Sequence, residues 1–441
     1  MNTTEITKPK WDTETKLARV AWLSKMDPQK EFTTLMHFYN EESLLKCYQK
    51  LDRKKAIGID KITKDQYGEN LMENIDNLIK RMKKMAYRPG NIREVLIEKE
   101  DKPGAYRPLG ISNFEDKIVQ MQTAKILESI YDPIFSDRSY GFRPGKSCHH
   151  AIKDLHNYLY RNEIEVVIDM DMANFFGTID HKILENLMRM KIKDPKFMRY
   201  IIRMFKAGIL SENELRVTEE GVPQGSVCSP IMANIYAHYA IDIWVEQYVQ
   251  PNCHGRVELF RYADDAIICC ERKEDANRIL KVLDKRLAKF NLKLNKDKTK
   301  TVEFSKAKAK RGIQQGTFDF LGFTFFLGRS RQGLVIPKVR TARKRYITKL
   351  KKVAVWMKTN RNKQKLKPLW TVFCAKLRGH VEYYGVSFNF EKMNSFLGEA
   401  RKIFYKWINR RSQKKSMNWE KFGKFCERHP MLRAVIKHKL F

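Results

Sequence analysis

Two acids in succession, Asp264-Asp265, stand between two runs that have little reason to be near water: Val257-Glu258-Leu259-Phe260-Arg261-Tyr262 before them and Ala266-Ile267-Ile268-Cys269-Cys270 after them. Short apolar runs around a polar turn read as a buried β-hairpin with the acids at its turn. A third run, Glu165-Val166-Val167-Ile168-Asp169-Met170-Asp171, is β-branched, short and again ends in carboxylates, the mark of a buried strand. Acids crowded at buried strand ends repel one another unless cations supply the missing charge. Adjacent strands of one sheet can bring such acidic ends within reach of shared ions. Single acids such as Asp60, Asp169 and Asp180 read individually as turn or helix-cap residues. The constellation of Asp171 with Asp264 and Asp265 is what carries chemical meaning.

Around these strands the chain alternates helix and turn. Apolar residues spaced three or four apart predict helix within 15–55, around Leu35, Tyr39 and Leu44, and again before Tyr87-Arg88-Pro89-Gly90, where Ile75, Leu78, Ile79 and Met82 recur. Residues 92–97 alternate like a strand, and Lys102-Pro103-Gly104 makes a turn. Helices are expected at 115–131, 147–161 and 273–290, a loop at 139–145 and a strand at 299–304. In 338–358 the positions Ala342, Tyr346, Leu350, Val353 and Met357 step as a helix face, with Arg343, Lys344, Lys351 and Lys352 among them.

Charge names the class of partner. The 441 residues hold 86 Lys and Arg against 51 Asp and Glu, a formal charge of +35, far beyond what solubility requires and suited to a polyanion. Residues 331–441 carry thirty Lys and Arg, five Glu and no Asp, a net +25, which leaves +10 for the rest. Four of the seven tryptophans lie in the same stretch, so it reads as a folded basic region and not a solvated tail. No long uncharged apolar run and no signal sequence in the first sixteen residues favour a membrane reading. The eight cysteines form no CxxC pair, which argues against a zinc module or disulfide framework and for reduced thiols in a cytoplasmic protein.

Further short segments fall in a fixed order: Gly58-Ile59-Asp60, Lys99 with Tyr106-Arg107-Pro108-Leu109-Gly110, Tyr140-Gly141-Phe142-Arg143-Pro144-Gly145, and Asp171 with Phe176. Gly221-Val222-Pro223-Gln224-Gly225-Ser226, Tyr262-Ala263-Asp264-Asp265, Lys298-Thr299 and Phe320-Leu321-Gly322-Phe323 follow. As an ordered series from about residue 55 to 326 they resemble reverse transcriptases. The Tyr140–Gly145 segment, together with Leu377-Arg378-Gly379 and Tyr383-Tyr384, resembles the branch encoded by group II introns, in a compact form lacking an endonuclease domain.

The resemblance implies an α+β, right-hand polymerase. Residues 1–55 would be a helical N-terminal extension, 56–328 the fingers and a palm with an antiparallel sheet backed by helices, and 329–441 a basic α-helical thumb or maturase domain. It implies RNA-directed DNA synthesis, with Asp171, Asp264 and Asp265 holding two Mg²⁺ ions. Lys99 and Arg107 would meet the dNTP triphosphate, the ring of Phe176 would exclude a 2′-hydroxyl, and Gln224 would lie beside the incoming nucleotide. Gly177, where the family often has Asp, and Glu98, where Pro is common, depart from its pattern. The implied partners are an RNA template, a DNA primer and intron RNA in a cytoplasmic ribonucleoprotein, with Arg343, Lys344, Lys351 and Lys352 gripping phosphates. Two other uses are compatible with the same motifs: a related polymerase serving CRISPR adaptation, phage defence or repair, and a maturase that only binds RNA. Intact acids argue against the latter, because an RNA chaperone gains nothing from clustered carboxylates facing a polyanion.

Overall fold

The computed structural model describes residues 12–98, 104–211, 214–216, 220–223, 225–411 and 417–441. The N-terminal stretch is helical in two pieces, α1 (Thr13–Met26) and α2 (Glu41–Lys50). Asp12 caps α1 by accepting the Thr15 N–H, and Asn40 and Ser43 form a reciprocal capping box on α2. Next come α3 (Lys64–Glu69) and α4 (Leu71–Lys83), the latter burying the predicted Ile75, Leu78 and Met82. Strands β1 (Ile92–Glu98) and β2 (Tyr106–Ile111) pair antiparallel; of the turn expected between them only Gly104 is among the described residues.

The chain continues through α5 (Phe114–Tyr131), α6 (Cys148–Arg161), β3 (Val166–Asp171), α7 (His181–Arg189) and α8 (Pro195–Phe205). Two short strands, β4 (Ile209–Ser211) and β5 (Glu214–Arg216), precede α9 (Ser229–Ala237). Then come β6 (Val257–Tyr262), β7 (Asp265–Cys270), α10 (Lys273–Ala288), β8 (Lys300–Glu303) and α11 (Lys306–Lys310). Strands β9 (Phe318–Phe320), β10 (Phe323–Arg329) and β11 (Val335–Thr341) lead into α12 (Arg343–Asn360), α13 (Leu366–Tyr384), α14 (Phe390–Ile408) and α15 (Trp419–Arg428). No helix among the described residues is long and apolar enough to cross a membrane.

Among the described residues three sheets organise this mixed α and β architecture, with strand orders β2-β1-β4-β5, β6-β7-β3-β8 and β11-β10-β9. The second is antiparallel throughout and is covered on both faces. Val166, Ile168 and Met170 of β3 point into the main core with Ile279, Leu283 and Leu287 of α10. The alternate residue Val167 joins Ile267, Cys269 and Phe260 against Ala151, Ile152 and Leu155 of α6. Both faces of these strands are therefore apolar, which is why the run is continuous rather than alternating. A third core, with Trp370, Phe373, Phe396 and Phe404, holds α12–α15 together.

One expectation is corrected. Residues after 328 are not helical from the start: β11 pairs with β10 from Phe323↔Thr341 to Arg329↔Val335, so a division at 328 passes through a hairpin. The helix expected from 338 begins at Arg343. Pro337, Val339 and Thr341 are buried and alternate with Lys338 and Arg340 in a two-residue period, and pairing with β10 satisfies the backbone groups of the strand.

Candidate active site

Adjacent strands bring the acids together. Asp171 is the last residue of β3 and stands opposite Asp265, the first of β7, in the antiparallel ladder; Tyr262 at the end of β6 stands opposite Asp265 on the other side. Asp264 lies in the turn between β6 and β7, where Ala263 takes a left-handed φ of 57°. Burial, with Asp171 nearby, holds the Asp264 carboxyl above its usual range, and the charge of Arg107 on β2 draws it back down. Burial together with the Asp264 and Asp171 carboxylates pushes Asp265 up to about 6, while Lys298 and Arg345 oppose that rise. The site is thus a knot of under-compensated negative charge between Arg107 on one side and Arg345 of α12 on the other.

A loop after α10 fixes Asp171. Its backbone carbonyl accepts the Asn295 N–H at 2.9 Å, and Lys298 Nζ lies 3.0 and 2.9 Å from its two carboxylate oxygens. The Lys298-Thr299 pair, legible in sequence only as part of an ordered series, thereby acquires a role: it orients the acid that ends β3. Asp180 is a cap, accepting the Ile183 N–H at the start of α7, and Asp60 accepts the Ile62 N–H in a turn, as read from sequence. Asp169 is different. Burial, Asp265 and Asp319 raise its carboxyl to about 7, and it lines the cleft beside Asp265.

Phe176 is half-buried and packs edge-on against Phe175. Its carbonyl accepts the Val222 N–H at 2.9 Å, which ties the Gly221–Ser226 loop to the strand-end segment. Gly225, at φ 106°, lies so close to β2 that a Cβ would come within 2.8 Å of the Gly110 carbonyl. The loop therefore spans from Phe176 to the strand bearing Arg107, and glycine permits that approach. Gln224 and Lys99 lie outside the described residues. At Gly177, the departure noted above, a Cβ would meet the amide end of the Asn174 side chain, which would have to turn away.

A cleft of about 1010 Å³ extends from these acids to the helical region. Asp169, Asp265 and Asp319 line one end, and Lys344, Arg345, Lys349, Lys352 and Lys376 line the other. Of the four cations singled out from sequence, Lys344 and Lys352 line the cleft, whereas Arg343 and Lys351 are exposed elsewhere on α12. Arg345, Lys349 and Lys376 escaped the sequence reading. The signal was present: Arg345, Lys349, Lys352 and Trp356 step by four, three and four, which is one helix face.

The donors converging on the strand ends are carboxylate oxygens, the hard ligands that divalent ions such as Mg²⁺ prefer, and the raised carboxyls of Asp264 and Asp265 mark charge that a cation would compensate. Among the described residues, no three His, Cys, Asp or Glu side chains already stand as a closed metal-binding set.

Carboxylates thus end adjacent antiparallel strands, with Arg107 and Arg345 near them and a cleft lined by lysines beside them. Residues 97–325 match the family described as reverse transcriptase (RNA-dependent DNA polymerase), and the chain belongs to that family. It is 35% identical over 223 residues to the group II intron-encoded protein LtrA of Lactococcus lactis subsp. cremoris, a match covering 50% of this chain and 37% of that protein. An uncharacterized 91 kDa protein in the cob intron of Schizosaccharomyces pombe is 35% identical over 209 residues, 47% of this chain and 25% of that one. Protein YkfC of Escherichia coli is 29% identical over 312 residues, 63% and 77% of the two chains. The chain thus spans well under half the length of the first two of these relatives.

Proposed function

We propose that this chain is an RNA-directed DNA polymerase of the group II intron type, which copies an RNA template from a DNA primer and binds intron RNA to assist splicing and mobility. The observation that carries the reading is the ladder pairing of Asp171 with Asp265 beside Asp264, between the cations Arg107 and Arg345. Reverse transcriptases generally use divalent ions, and here Asp171, Asp264 and Asp265 would hold two Mg²⁺. When bound, the ions favour ionisation of the primer 3′-hydroxyl and offset charge on the departing pyrophosphate. Arg107 meets the triphosphate with a planar guanidinium, and Lys99 does so as a point charge. Phe176 lies under the sugar and discriminates by clash with a 2′-hydroxyl. Gln224 borders the incoming nucleotide.

In this reading β1, β2, β4 and β5 belong to the fingers, the antiparallel sheet containing β3 to the palm, and α12–α15 to a thumb. Lys344, Arg345, Lys349 and Lys352 hold the backbone of the template–primer duplex in the cleft, and Arg343 and Lys351 on the outer face are available to intron RNA. The intron role draws on the names of the relatives and on the basic C-terminal quarter; it implies that the protein works in a ribonucleoprotein. Primer extension on an RNA template with Mg²⁺ and dNTPs tests the polymerase reading. Extension by the wild-type chain and none by Asp264→Asn supports it; no extension by the wild type, or wild-type extension by Asp264→Asn, overturns it. Co-purification and splicing assays with the surrounding intron, where one flanks the gene, test the second half.

A further inference from the structure

Phe142 is a large apolar side chain in a place that neither backbone preference nor packing explains. Its φ is 56°, in the left-handed region that favours glycine or asparagine, and its ring is 51% exposed. A side chain there is strained by its own Cβ, and an exposed ring recovers little by burial. Yet the residues on either side are tightly fixed. The Gly141 carbonyl accepts the Asn234 amide at 2.7 Å, and a Cβ on Gly141 would approach the Ala263 nitrogen to 2.5 Å, so the loop lies directly on the catalytic turn.

Arg143 on the other side is buried and donates four hydrogen bonds: Nε to Asp132 Oδ1 at 2.7 Å, Nη1 to the Ser136 and Ser139 carbonyls at 2.6 and 2.8 Å, and Nη2 to the Asp132 carbonyl at 2.9 Å. Anchors of this kind over-determine a strained residue, and such strain clusters at functional sites. What they present to solvent is one aromatic ring, whose centroid is 6.4 Å from that of Tyr262. Tyr262 in turn stands opposite Asp265 in the ladder.

We infer that Phe142, with Tyr262, forms an aromatic ledge that receives the sugar and base of the primer strand next to its 3′ end. This rests on the polymerase reading above. The primer is the strand whose terminus must reach Asp171, Asp264 and Asp265, and the ledge adjoins them; the template strand lies across the base pairs from that point. An aromatic face accepts any base or sugar without reading sequence, as a polymerase requires.

The test separates contact from architecture by using the strain itself. Phe142→Gly relieves the left-handed backbone and leaves the anchors intact. It should therefore melt at or above the wild-type temperature while the KM for primer–template rises about tenfold, the worth of one stacked ring, and the KM for dNTP stays within twofold. Phe142→Tyr should restore the primer–template KM. An unchanged primer–template KM in Phe142→Gly, a rise in the dNTP KM instead, or a melting temperature that falls in step with activity would each overturn the ledge. Absence of extension by the wild-type chain would overturn the polymerase reading and this one with it. Normal extension by Phe142→Gly would overturn this one alone.

Discussion

Lys298 and Asp171 form a two-pronged ion pair: one ammonium reaches both oxygens of the carboxylate that ends β3, at 3.0 and 2.9 Å. A divalent ion bound at Asp171 must share those oxygens. Removing the lysine both removes a competitor and makes the site more negative, so the two effects act in the same direction. Lys298 is half exposed, which limits the pair to about 1 kcal/mol. Lys298→Gln should therefore lower the Mg²⁺ concentration for half-maximal extension by about fivefold. A Mg²⁺ titration giving an unchanged or higher midpoint would show that Lys298 does not compete at Asp171.

Asp171→Asn and Asp264→Asn should each eliminate primer extension while leaving RNA affinity within about twofold. The amide keeps the shape and removes the charge that holds a hard cation. Either variant extending at the wild-type rate would remove that residue from the ligand set.

Phe176→Ala and Phe176→Val should admit ribonucleotides, because discrimination by clash disappears when the ring does. Single-nucleotide incorporation read as the ratio of kcat/KM for dNTP and rNTP should fall by at least about tenfold. A constant ratio would mean that the ring does not border the sugar.

The cleft face and outer face of α12 should separate in salt dependence. Replacing Arg345, Lys349, Lys352 and Lys376 by Gln removes cations that line the cleft. Each phosphate that is no longer neutralised should flatten the plot of log affinity against log salt by about 0.7 to 0.9, so primer–template binding should weaken and its slope become shallower. Arg343→Gln with Lys351→Gln should leave that slope unchanged and weaken only intron RNA. If the outer pair altered template–primer binding as much as the cleft set, the cleft would not be the duplex channel.

Behind the turn that carries Asp264, Arg261 and Asp242 are both fully buried and joined by two hydrogen bonds, of 2.7 and 2.6 Å, while Arg261 also donates to the Ala263 carbonyl. Burial alone would raise the Asp242 carboxyl, but the guanidinium outweighs it and holds the group below its usual range. A depressed carboxylate contributes stability above its unfolded pKa and loses it as pH falls through the lower folded value. Asp242→Asn should therefore cost about 3 to 5 kcal/mol near neutrality, because it leaves a buried charge unpaired. The gap between variant and wild type should narrow below about pH 4. Melting curves at pH 7 and pH 3 giving the same difference would exclude this account.

Much of the site was legible because its signals are local. Short apolar runs bounded by turn residues point to buried strands, so β3, β6 and β7 and the acids at their ends could be read in order, as could a cap or turn role for Asp180 and Asp60. Strand β11 was not legible. Its apolar residues fit a helical period as well as a two-residue one, and only hydrogen bonding to β10 decides between them.

Sequence alone determined which residues are acidic, basic or apolar, and hence that buried strands end in carboxylates and that the last quarter of the chain concentrates the positive charge. Tertiary structure decided the rest. Register set Asp171 opposite Asp265, since nothing local specifies which strand neighbours which. Helix rotation turned Arg345 and Lys349 toward the cleft and Arg343 and Lys351 away, because the packed face of α12 depends on α13 and α14. The left-handed Phe142 emerged only from the anchoring of Gly141 and Arg143 by residues distant in sequence. Composition and periodicity are properties of neighbours along the chain, whereas a site is a property of neighbours in space.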